Sequence, residues 1–217
     1  MKKAFIGIAM VLVLVGLVFG CVYIYNKYID VDNYKPGQPV PSASKIDSIK
    51  GYDYVLYDDS TELYKTLYYE LKDILETETI DEAKYAEVIS KMFIADFYTL
   101  STKVTNQDVG GLDFIYSNNK DNFKLKASNT LYKYIESNVY GDRKQKLPEV
   151  TEFISCVSKV DGYNYKDKDS GLTIFDTKSY IVDVTWKYKE DLGYDNEARI
   201  RLVHEGNILS IVSVESI

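Results

Sequence analysis

One histidine, His204, and two cysteines, Cys21 and Cys156, are few for a chain of 217 residues. A histidine pair for a catalytic metal is excluded, and so is a four-cysteine zinc site. Cys21 lies in a hydrophobic segment and Cys156 far downstream, so the two do not suggest a disulfide. No loop has the carboxylate spacing of a calcium site, and no glycine-rich loop leads into Lys-Ser or Lys-Thr. Neither a metal nor another cofactor is expected. An excess of positive charge is missing too. The net charge is -7 and the isoelectric point about 4.9, which argues against a nucleic-acid partner, since that needs a basic stripe. Tyrosine, by contrast, is abundant at 21 residues. Its ring packs at half-buried sheet and interface positions while the hydroxyl stays wet; AT-rich coding accounts for the excess equally well.

Residues 4–25 carry no charge. As a helix they span roughly 33 Å, enough to cross a hydrocarbon core. Lys2 and Lys3 precede the run, and Asp30 and Asp32 follow it. The positive-inside rule puts residues 1–3 in the cytoplasm and the rest outside the membrane, with the bilayer as a partner through residues 4–25. A second reading is a lipoprotein signal in which Cys21 becomes the lipidated first residue. Phe19 is large for such a cleavage box, and the chain after Cys21 stays apolar. Both readings leave a tethered domain facing outward. Residues 26–50, with Pro36, Pro39, Pro41 and several serines, read as an extended linker. The domain proper is expected over residues 51–217.

Helical spacing comes first in that domain. Asp59 is the expected cap of a helix carrying Leu63, Leu67, Leu71, Ile74 and Leu75. A second helix starts near Thr79, and its wide stripe of Tyr85, Val88, Ile89, Met92, Phe93 and Phe97 predicts deeper burial. A third is expected over about 121–137, with Phe123, Ala127, Leu131, Tyr134 and Ile135 on one side. After Pro148 the period changes to two. Strands are expected over 150–160, over 181–189 with Val182, Val184, Trp186 and Tyr188 on one face, over 198–204, and over 208–214 after a tight turn at 205–207. The polar stretch 161–170 reads as an exposed loop.

The expected fold class is α+β, three helices on an antiparallel sheet of about four strands. This order resembles the nuclear transport factor 2-like superfamily, which implies a curved, cone-like sheet. With the short tail, single anchor and linker, the layout resembles the bitopic scaffold subunit of type IV secretion and conjugation systems. That resemblance implies protein partners, a possible homo-oligomer, and no catalysis. The runs 108–114 and 140–148 look motif-like without pointing to a known function.

Enzymes of that superfamily work in the mouth of the cone, which makes Asp183 a candidate base. Its neighbours in register, Thr185, Lys187 and Lys189, put it instead on the wet face. His204 is expected to be partly buried, without an acidic partner. Cys156 alternates with Ile154 and Val160 and reads as a core residue. Gly110-Gly111 is expected to reverse the chain. Arg143, Lys144 and Lys146 form a basic cluster that reads as a solvated turn, or as a contact for an anionic surface. No catalytic, cofactor-binding or metal-binding residue is assigned. The expected role is protein contact at the outer face of a membrane; a small-molecule or peptide module is the alternative, and an isomerase- or dehydratase-like enzyme the third.

Overall fold

In the computed structural model, which describes residues 43–167 and 169–217, the first helix begins two residues later than Asp59 suggests. The Thr61 hydroxyl accepts the Tyr64 amide at 3.2 Å and caps α1, Glu62–Leu75. Asp81 does the same for Lys84, also at 3.2 Å, and caps α2, Glu82–Phe97. α1 buries one stripe, Leu67, Tyr68, Leu71 and Leu75. α2 is covered on nearly every side, with Ile89, Met92, Phe93 and Ile94 fully enclosed. The third helix, α3, is Lys120–Asn129, shorter than the sequence suggests. Tyr132 accounts for the early end. Its hydroxyl turns inward to donate to the Phe97 carbonyl at 2.6 Å and accept the Gly110 amide at 3.1 Å. Tyr134 is consequently exposed rather than on the apolar side.

Four long strands follow: β3 (Val150–Val160), β6 (Tyr180–Tyr188), β7 (Glu197–Glu205) and β8 (Ile208–Glu215). They form an antiparallel sheet in the order β3-β6-β7-β8. Val182, Val184 and Trp186 of β6 and Ala198, Ile200 and Leu202 of β7 face the helices and are buried. Asp183 points the other way, half exposed, and its carboxylate takes two bonds from Arg199 at 2.7 and 2.8 Å.

Three expectations need correction. The linker does not extend to residue 50: Lys45–Ser48 is a strand, β1, paired with β2, Val55–Tyr57. Ile49 and Leu56 are core residues there, and Lys72 binds Asp47 at 2.7 Å, tying β1 to α1. Polar composition hid a strand that buries few side chains. The stretch 161–170 is not wholly loop either. β4, Tyr163–Lys166, pairs with β5, Thr173–Asp176, and the Asp161 amide bonds to the Ser179 carbonyl at 2.8 Å. This hairpin therefore continues the β3–β6 ribbon.

The third correction concerns β3. Its register slips between Val150 and Glu152 and again between Phe153 and Ser155. A bulge moves the following side chains to the opposite face. Phe153 and Cys156 pack towards the core, while Ile154, Val157 and Val160 are 56%, 64% and 53% exposed. Cys156 is only half-buried, and burial pushes its thiol up to about 12, which makes it a poor nucleophile. β3 is an edge strand with its free amides partly blunted. Glu87 accepts the Ser158 amide at 3.1 Å, and Thr99 accepts that of Val150 at 3.1 Å.

Tyrosine hydroxyls join distant segments. Tyr54 and Tyr85 share a bond of 2.7 Å, and Tyr85 accepts the Leu209 amide at 3.2 Å. Tyr116 and Tyr165 hold the hairpin by donating to the Lys166 and His204 carbonyls, each at 2.8 Å. No helix of the described residues is long and apolar enough to cross a membrane. The expected membrane helix at residues 4–25, Cys21, and residues 26–42 of the expected linker lie outside the described residues.

Candidate functional site

The motif-like run 108–114 wraps the end of α2. Asp96, in the last turn of that helix, forms an ion pair with Lys103, which is 7% exposed. The other Asp96 oxygen accepts the Gly111 amide at 2.6 Å. Asp108 accepts the Val104 amide at 2.9 Å and closes the loop. Gly110 has no room for a side chain: a Cβ there meets the Asp96 carbonyl oxygen at 2.4 Å and the Lys103 ammonium at 2.7 Å. Gly111 has φ of +72° and lies against the Phe93 ring. The glycine pair does reverse the chain, and it also lets backbone approach a part-buried ion pair.

A cavity of about 260 Å³ opens beside this pair, lined by Tyr57, Asp59, Tyr64, Asp96, Lys103 and Asp113 among others. Burial pushes the Tyr64 hydroxyl well above its usual range, and Asp96 and Asp113 add to the rise. The hydroxyl therefore stays a neutral donor. The cavity offers polar contacts to something of a few atoms. The chain's single histidine lies elsewhere.

The second motif-like run supports the same region from behind. Arg143 donates to the carbonyls of Ser101 and Lys103 at 2.6 Å each. Lys146 binds Glu190 at 2.8 Å. These two members of the expected basic cluster are thus engaged within the chain, and Lys144 alone is left exposed without an ion pair among the described residues.

His204 has an acidic partner that sequence spacing did not show. Asp176 of β5 accepts both its backbone amide and its Nδ1, each at 2.9 Å. Nε2 lies 3.7 Å from Glu82 at the start of α2. The trio latches the hairpin to β7 and α2. Burial pushes the Asp176 carboxyl up, but the His204 amide and ring and the Lys178 amide outweigh it and hold it below the usual carboxylate range. Asp183 is held low too, chiefly by its bonds to Arg199. A depressed carboxylate adds stability above its unfolded value of about 3.9, and that stability is lost as pH falls through the folded value. The unfolding midpoint is expected to change little from pH 7 to about 4 and to fall below it. Asp176→Asn should make the acid fall shallower and raise hydrogen exchange in residues 163–176. An unchanged acid limb contradicts the latch.

Among the described residues, no group of three or more His, Cys, Asp or Glu is placed to hold a metal ion. The middle of the helix-facing sheet is filled: Val182, Val184, Trp186, Ile200 and Leu202 have no exposed surface at all. The chain matches no protein-family model, and no curated protein or solved structure is significantly similar to it.

Proposed function

We propose that this is a membrane-tethered domain that works by protein–protein contact outside the membrane, as a structural subunit of a conjugation-like secretion complex. One observation carries the contact reading. Six apolar side chains, Ile154, Val157, Val160, Leu172, Ile174 and Phe175, stand exposed along the single ribbon that runs from β3 into the β4–β5 hairpin. They stand on both faces of the ribbon, Val157 opposite the outward Asp183 and Val160 opposite Tyr180, and several apolar side chains left in solvent along one segment mark it as a place for contact. The filled space between helices and sheet favours contact over chemistry in a cone. The uncharged run at residues 4–25 supports the tether, and the order of helices and strands supports the nuclear transport factor 2-like relationship.

Val157→Lys and Phe175→Lys test the reading. Both sites are exposed, so stability is expected to stay within about 0.5 kcal/mol of wild type. In a strain lacking the native gene, both variants should fail to restore whatever the wild-type copy restores. Full restoration contradicts the proposal.

The cavity beside Lys103 favours a second reading, a module for a small polar molecule or a peptide end. Lys103→Met with intact folding separates the two: loss of the same phenotype there, and not on the ribbon, favours the cavity.

A further inference from the structure

Two charged surfaces of opposite sign lie on different parts of the domain. The first is the groove between α1 and the start of α2, an opening of about 630 Å³ lined by Tyr69, Glu70, Asp73, Ile74, Asp81 and Lys84 among others. Its walls are acidic and its apolar floor includes Tyr69, 48% exposed. Glu70 and Asp73, with Glu76 and Glu78 beside them, are exposed and make no ion pair among the described residues. The groove's lone cation, Lys84, is taken by Asp81 at 3.6 Å.

The second surface is the outer side of α3 and the turn after it. Lys124, Lys126 and Lys133 are exposed and make no ion pair among the described residues. Between and beside them stand Leu125, 63% exposed, and Tyr134, 75% exposed. Apolar knobs flanked by lysines thus face solvent in a protein whose net charge is -7. The groove has the complementary form: an apolar floor flanked by unneutralised carboxylates.

We propose that the basic face of α3 in one copy docks into the acidic α1–α2 groove of a second copy. Leu125 covers the Tyr69 and Ile74 floor, while Lys124 and Lys126 meet Glu70 and Asp73. The two surfaces differ, so the contact is heterologous. Each copy that uses its groove still presents its α3, and assembly proceeds head to tail into a ring or a filament. The contact is independent of the apolar ribbon, so changes at Val157 or Phe175 leave it intact.

The test is sedimentation of the full chain in a density-matched nonionic detergent. The wild type is expected to form species beyond a dimer at low salt and to dissociate towards about 1 M salt, where screening acts within roughly 3 Å. The paired change Lys124→Glu with Lys126→Glu should give a monomer. So should Glu70→Lys with Asp73→Lys. In a mixture of the two variants, the native α3 of one meets the native groove of the other, and the reversed α3 meets the reversed groove, so every contact pairs opposite charges and the large species should come back. That rescue excludes misfolding as the cause of either loss. A wild type that stays monomeric at low salt, variants that assemble as wild type does, or a mixture that stays monomeric overturns the proposal.

Discussion

Trp186→Ala is expected to lower the thermal midpoint more than any other single truncation on the sheet. The indole has no exposed surface. It lies 4.9 Å from the Tyr98 ring and 6.2 Å from that of Tyr188, centroid to centroid. Cutting back a buried tryptophan typically costs about 3–5 kcal/mol, because lost transfer energy adds to the cavity left behind. For a domain of this size each kcal/mol moves the midpoint by about 2–4 °C, so a fall of roughly 6–20 °C is expected. Wild-type tryptophan emission should be blue-shifted and poorly quenched by acrylamide. Asp183→Asn, on the opposite face, is the control. It weakens a half-exposed ion pair with Arg199, worth about 0.2–1 kcal/mol. A tolerant Trp186 beside a sensitive Asp183 contradicts the register of β6.

Gly110→Ala is the second change with a large expected effect. The new Cβ falls 2.4 Å from a backbone oxygen of α2, which has no rotamer with which to retreat. The loop must lift, and two bonds go with it: the Gly110 amide to Tyr132, and the Gly111 amide to Asp96. Overpacking and the stranded polar groups together should cost about 3 kcal/mol or more. Gly51→Ala is the comparison. Its φ is +84° and nothing lies within 4 Å of the added carbon, so it carries only the left-handed penalty of about 1–2 kcal/mol. Equal midpoints for the two variants contradict the packing described around Asp96.

Much of the sheet is legible in the sequence because one face is dry and the other wet. Val182, Val184 and Trp186 alternate with Asp183, Thr185 and Lys187, and the structure keeps that register with no slip between β6 and β7. The bulges of β3 leave no such mark. Ile154 and Val160 have the residue types of a core, yet Ile154 falls at the bulge and Val160, although it pairs with the buried Tyr180, is left in solvent. The β4–β5 hairpin is hidden differently. Its inward residues are tyrosines and an aspartate, and its outward Phe175 inverts the usual pattern. Pairings across long separations are unreadable from spacing alone. The run 108–114 stood out, but Asp96, the group it wraps, lies 15 residues from Gly111. Asp176 and His204 are 28 residues apart on strands that do not pair.

The central claim is that the domain acts through its exposed ribbon. Site-specific photo-crosslinking in living cells tests it most directly, with a photoreactive residue placed in turn at Val157, at Phe175 and, as an exposed control off the ribbon, at Asn207. Discrete crosslinked partners are predicted from Val157 and Phe175 and none from Asn207. Ribbon positions that capture nothing, or no more than Asn207 does, would contradict the account.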